Sequence, residues 1–156
     1  MMTVGQTAQL SKFASAVRES TLRRLRAVPD GYENWRITSD AMSFADIAQH
    51  LVDADNWLFE KLKSEELEPI TGKSGIAPIE TRGEYISLLD LLEKTGRQRM
   101  DLIEKLTDSR LAEQIYDHRF GGRVTIWWII VRGNLDHEIH HRGQLATYLH
   151  VMKVEK

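Results

Sequence analysis

His137-Glu138-Ile139-His140-His141-Arg142-Gly143-Gln144 gathers three of the chain's six histidines into one short run. His137 and His141 are four residues apart, so on a helix they stand one turn above each other, about 6 Å along the axis. That spacing lets two imidazoles converge on one cation. Trp127, Ile130, Val131, Asn134, Leu145, Tyr148, Leu149 and Met152 recur around them at intervals of three or four, and both histidines fall on the same stripe. Imidazoles on an inward face are costly to leave unpartnered. The pair reads as metal ligands on a long final helix.

The same period recurs upstream. From about Gln6 to Val28, Leu10, Phe13, Ala14, Val17, Leu25 and Val28 make one face. Arg18, Arg23, Arg24 and Arg26 fall mostly off it and are expected in solvent. Pro29-Asp30-Gly31 ends that segment. Ser43-Phe44-Ala45-Asp46 has the pattern of a helix cap. The helix it opens carries Phe44, Ile47, Leu51, Ala54, Trp57, Leu58 and Leu62 on one side. His50 sits at the edge of that face. Alone it would read as a hydrogen-bonded core histidine, and the inward pair elsewhere makes it a candidate ligand as well.

Between Ser64 and Glu80 the period stops, and Pro69, Gly72, Gly75 and Pro78 crowd together as in a crossover or surface loop. Gly72-Lys73-Ser74 invites a phosphate-loop reading, but the glycine required five residues earlier is Leu67 and no strand precedes it. Thr81-Arg82-Gly83-Glu84 is a second capping box. The third helix runs from there to about Leu106, with Gly96 tolerable where packing is close. A short irregular or helical stretch then reaches Phe120-Gly121-Gly122, and Thr125 caps the last helix. No strand pattern is visible. The expected architecture is all-α, a four-helix bundle.

A chain of 156 residues is expected to form a single domain, residues 1–156. With 21 basic against 23 acidic side chains and no basic block, nucleic acid is a poor partner. Cysteine is absent, which removes disulfides, thiolate ligands and a cysteine nucleophile and leaves a metal only nitrogen and oxygen donors. The longest apolar run, Ile126 to Val131, cannot span a membrane, and Met1 to Leu10 shows no signal peptide. A cytoplasmic location is the expectation. No pattern specifies the assembly, for which a homodimer is the expectation.

Ser43-Phe44-Ala45-Asp46-Ile47-Ala48-Gln49-His50-Leu51, together with His137-x-x-x-His141-Arg142-Gly143-Gln144, resembles the DinB-like (YfiT-type) metal-binding four-helix bundles along nearly the whole chain. Carried over position by position, the resemblance implies three ligands, His50, His137 and His141. It also implies a long crossover between the second and third helices, where Ser64 to Glu80 falls. Members of that family include transferases using low-molecular-weight thiols, and maleylpyruvate isomerases. The resemblance thus implies a metal-dependent enzyme acting on a small-molecule substrate, or a non-catalytic bundle in which the ion staples two helices.

Three neutral imidazoles leave a divalent ion, whether zinc, nickel or iron, with open positions for water or a thiol. Such an ion brings the bound group toward ionisation at neutral pH. Without cysteine in the chain, a thiol would come from a cosubstrate.

His137-Glu138-x-x-His141 also satisfies the zinc-peptidase pattern, but its only downstream histidine, His150, lies too far along the same helix to close the site. Glu138 remains the candidate catalytic base, or a hydrogen-bond acceptor beside the metal, with a solvent-facing glutamate an equal reading. His140 points roughly 100° away from His141 and is not expected to ligate, and His118 is expected at the surface. Arg142 and Gln144 are expected to bond neighbouring helices or loops. Gly143 is expected to serve close helix approach, and Trp57, Trp127 and Trp128 to be mostly core, with one tryptophan a candidate to line the metal cavity.

Overall fold

Four long helical runs follow the apolar periodicity in a computed structural model that describes residues 5–65 and 77–153. The first three are α1 (Gln6–Arg26), α2 (Phe44–Lys63) and α3 (Arg82–Lys105). A short α4 (Asp108–Leu111) and a hairpin of β1 (Gln114–Asp117) and β2 (Gly122–Thr125) come next. The fourth run extends from Ile126 to Val151 in three helical pieces: α5 (Ile126–Trp128), a π-helical segment (Ile129–Leu135) and α6 (Asp136–Val151). Pro69, Gly72 and Gly75, on which the crossover reading rests, lie outside the described residues, as does the Gly72-Lys73-Ser74 tripeptide.

All three caps read from the sequence are in place, the one at Thr81 without the reciprocal bond to its own amide. Ser43 Oγ accepts from the Asp46 amide at 3.0 Å and Asp46 Oδ2 accepts from the Ser43 amide at 2.9 Å, a reciprocal box that starts α2 at a fixed residue. Thr81 Oγ1 accepts from the Glu84 amide at 3.1 Å, while the Glu84 carboxylate reaches back one residue further, to the Glu80 amide. Thr125 caps α5 through the Trp128 amide.

The hairpin corrects the expectation of an irregular or helical stretch. Its antiparallel register runs from Gln114 opposite Thr125 to Asp117 opposite Gly122. Gly121 closes the turn at φ 68°, a left-handed conformation that costs glycine nothing. Strands of four residues are too short to show alternation, which hid them from a periodicity reading. Ile115 and Val124, paired across the hairpin, pack on the bundle.

The π segment corrects the position of the tryptophans. Trp127 and Trp128 are 40% and 41% exposed, whereas Ile126, Ile129 and Ile130 are fully buried. A π turn holds an extra residue relative to an α turn. Everything before it is therefore rotated by roughly 100° from the α-helical projection, and burial passes from Trp127 to Ile126. Phe13 is also half exposed rather than core.

Two apolar clusters fill the bundle. One includes Leu22, Leu25, Ile47, Leu51, Leu88, Leu92, Leu145 and Leu149; the other includes Ala14, Leu58, Ile103, Ile126, Ile129 and Leu135. On every long helix buried polar residues lie between them: Arg18 and Thr21, Asp55, Thr95 and Arg99, and Glu138. Arg18 is thus a core residue, 4% exposed, and not part of the solvated arginine face expected for α1. Gly96 makes its room: a Cβ there would stand 2.8 Å from both Cγ and Nη1 of Arg18. Among the described residues, no helix is long and apolar enough to cross a membrane.

Gly96→Ala should therefore destabilise the bundle despite alanine's better helix propensity. Arg18 is held by buried bonds and cannot swing aside, so an overpacking cost of about 1–3 kcal/mol is expected. Urea unfolding of the two proteins measures it, and an unchanged or raised midpoint would show that Arg18 yields.

Candidate metal centre

Two helices bring three imidazoles to one point. The Ser43 box sets the start of α2, and His50 follows two turns in. α6 carries His137 and His141 on successive turns. His50 Nε2 and His137 Nε2 are 2.9 Å apart, and His137 Nε2 and His141 Nε2 are 3.0 Å apart. The three ligand atoms lie within 4.8 Å of one another. The rings meet edge to face, with interplanar angles of 74°, 81° and 89°. His50 and His137 are partly buried and His141 is buried.

The donor set fits a divalent ion. The His141 Nδ1 lies 2.7 Å from Gln144 Oε1. An amide oxygen can only accept, so Nδ1 carries the proton and Nε2 keeps its lone pair toward the cluster. His137 Nε2 faces both other Nε2 atoms, and a proton on it could serve the two only as one divided, weakened bond. Two nitrogens bonded to one ion at about 2.1 Å would stand about 3 Å apart at right angles and about 3.4 Å at the tetrahedral angle, so the two measured pairs are close enough to share an ion.

Burial keeps these rings neutral. It lowers His137 to about 3, helped by the facing His141 and His50. It lowers His141 to about 4 against the opposing bond from Gln144, and it lowers His50 against nearby Asp53. Neutral imidazole is the form that ligates.

The other histidines stand apart from the cluster. His140 is exposed, with its ring edge-on to His141 at 5.2 Å. His118 is exposed in the hairpin turn, against Tyr116, and His150 is exposed at the end of α6. Gln144 serves His141 in its own helix rather than a neighbouring element. Gly143 is exposed, and a Cβ there would meet nothing within 4 Å, so close helix approach does not explain it.

Glu138 requires a correction of role. Its carboxylate is 1% exposed and fully engaged inside the bundle. Arg18 donates to it through Nη2 at 2.7 Å and Nε at 3.1 Å, Arg99 through Nη1 at 2.7 Å, and Thr21 Oγ1 at 2.7 Å. Burial would raise its pKa, but Arg99 and Arg18 hold it at about 2. A carboxylate so weakly basic and so fully bonded does not serve as a general base at neutral pH. It anchors the helix that carries the ligands.

Asp55, Thr95, Arg99 and Asn134 complete this layer; of these, sequence reading had placed only Asn134, on the inward stripe of the last helix. Asp55 Oδ2 accepts from Arg18 Nη2 and Thr95 Oγ1, each at 2.8 Å, and Asn134 Oδ1 accepts from Arg99 Nη1 at 2.9 Å. A signal existed: Asp55 lies four after Leu51 and three before Leu58, and Arg99 four before Ile103, on the apolar stripes of their helices.

A cavity of about 140 Å³ opens beside the imidazoles, lined in part by His50, His137, Trp57, Leu58, Ile129 and Arg119. Trp57 is partly buried here, at the cavity wall. Arg119 is a further residue that sequence reading missed.

The model of the DinB superfamily matches residues 14–145. A DinB-like protein of Bacillus subtilis, YjoA, superposes with a TM-score of 0.70 at 20% identity, over 95% of this chain and 94% of that one. A DinB-like protein of Bacillus cereus ATCC 10987 superposes with a TM-score of 0.71 at 19% identity, over 94% and 92%. At such identities the likeness is one of fold. No curated protein sequence matches the chain.

Two outcomes are expected from these contacts. Gln144→Leu, which leaves His141 Nδ1 without its acceptor, should weaken zinc binding about 10- to 100-fold in a competition titration; unchanged affinity would mean that the ring is oriented by packing alone. Glu138→Gln should cost about 3–5 kcal/mol, because it strands buried arginine charge. The sign with pH follows from the lowered carboxyl. Its stabilisation is present above about 4.5 and is lost as pH falls toward about 2. Wild-type stability should therefore fall across that window in urea titrations, and the variant should lack this component of the slope.

Proposed function

The chain belongs to the DinB superfamily, and from that premise and its converging imidazoles we infer that it is a divalent-metal protein whose ion sits on His50, His137 and His141. We read it as an enzyme that activates a low-molecular-weight thiol, or water, toward a small electrophilic substrate. The observation that carries this reading is the cavity beside Nε2 of His50 and His137. A purely structural site would be closed by a fourth protein ligand. Among the described residues, the group that could hold an ion has three members, all histidine.

When bound, zinc, nickel or iron would supply Lewis acidity, lowering the pKa of a thiol or water in its open position. The protein supplies the rest. Gln144 holds the His141 tautomer, burial keeps the three rings unprotonated, and Trp57, Leu58 and Ile129 wall the cavity against bulk water. The chain has no cysteine, so the thiol would arrive as a cosubstrate in a cytoplasmic, thiol-rich milieu. The other reading, an ion that only staples α2 to α6, is favoured by the placement of its ligands on two separate helices.

Elemental analysis of the purified protein should show about one divalent ion per chain, and a screen of small thiols with electrophiles should show turnover that chelation abolishes and metal restores. His141→Ala should lose stoichiometric metal yet remain helical, because both apolar clusters and the charged layer are left intact. Ion removal should lower the melting temperature only through the binding linkage, about 2.7 kcal/mol at an ion concentration 100 times Kd. Retained stoichiometric metal in that variant would refute the ligand set, and complete unfolding would support the staple reading.

A further inference from the structure

Arg119 stands at the wall shared by two hollows that meet at His137. The smaller is the cavity already described. The larger, about 450 Å³, opens past Arg132, Asp136 and His140. His137, Arg119 and Gly133 line both.

The guanidinium is held rigidly. Its Nε lies 3.1 Å from Asp117 Oδ1 and its Nη2 2.7 Å from Asp117 Oδ2, so one edge is fully engaged. Nη1 donates to the Gly133 carbonyl at 3.2 Å. The flat face lies over the Trp57 ring, 4.2 Å from its centroid. A guanidinium has five N–H groups. Among the described residues these contacts leave one N–H on Nη1 and one on Nη2 unbonded, in a side chain 28% exposed. Nη1 and Nη2 together form the end edge of the guanidinium, the fork that a planar carboxylate matches.

Gly133 shows that the site is built around this placement. A Cβ on it would stand 2.7 Å from Nη2 and 3.1 Å from Nη1 of Arg119. The glycine sits within the π segment, so the backbone there is both bare and displaced beside His137.

We propose that Arg119 is a specificity-determining residue, which receives the carboxylate of a small substrate whose apolar body lies against Trp57, Leu58 and Ile129. The reacting end of that substrate rests on the reading of the three histidines as a metal centre. The carboxylate contact is Arg119's own. Asp117 balances the charge at long range, so recognition comes from two directed hydrogen bonds more than from net attraction. A neutral amide of the same shape, with one oxygen and one donor group, cannot fill both.

The probe is benzoate against its neutral isostere benzamide, titrated by calorimetry at low salt into the zinc-loaded and the metal-free protein. Wild-type protein should prefer benzoate in both forms. Arg119→Gln should weaken benzoate at least tenfold while changing benzamide less than twofold, and Arg119→Lys should recover part of the loss. Zinc affinity should be the same in all three proteins. Equal binding of the two probes by the wild type would overturn the proposal without reference to any variant. So would benzoate affinity unchanged by Arg119→Gln, which would mean that the ion alone takes the carboxylate, or parallel loss of both probes, the mark of a merely structural arginine. If zinc fails to bind while the Arg119-dependent preference persists in the metal-free protein, the metal reading fails and this one stands.

Discussion

One buried carboxylate, Glu138, is shared by two buried arginines, and the bundle is arranged around that sharing. Arg18 comes from α1 and Arg99 from α3, while Asp55 on α2 also accepts from both. Each of the four long helices thus contributes to one layer with two positive and two negative groups. Removed from water, none of these charges is tolerable alone. The layer is therefore sound in only one relative rotation of the helices. Apolar clusters above and below it would accept many small displacements; bonds of 2.7–2.8 Å to fixed oxygens accept few.

That constraint reaches the histidines directly. Glu138 follows His137 in sequence, and successive residues on a helix point about 100° apart. Fixing the glutamate toward α1 and α3 turns its neighbour toward α2, where His50 waits. Asp55 likewise pins α2 little more than one turn from His50. The charged layer and the imidazole cluster are two faces of one arrangement, the first closed, the second open to a cavity. Their chemistry divides accordingly. Arginines hold the carboxylate ionised and unreactive, and burial holds the imidazoles neutral with lone pairs directed at one another.

The π segment has a place in the same scheme. It lets the last helix bury Ile126, Ile129 and Ile130 below while keeping His137 and His141 in register above. It also leaves Gly133 beside the hairpin, where Arg119 crosses it. The cost is two exposed tryptophans, one of which, Trp128, packs edge-on against Phe120 at 6.1 Å.

Much of this was legible in the residues. The caps at Ser43, Thr81 and Thr125 and the 3.6-residue repeats determine where the long helices start and which faces turn inward, because both are local properties of backbone and side chain. The spacing of His137 and His141 determines that they share a face. Four things were decided only by tertiary structure: the burial of Arg18 and Glu138, the two-stranded hairpin, the outward turn of Trp127 and Trp128, and the arrival of Arg119 at the cavity. A charge can enter a core only when its partners come from other helices, and those partners lie from 37 to 120 residues away in sequence. A π turn shifts every residue before it without leaving a mark in the local pattern. The sequence by itself determined the helices and the pair of ligands one of them carries; their rotation, and so the meeting of His50 with that pair, was decided by charges that could be buried in no other way.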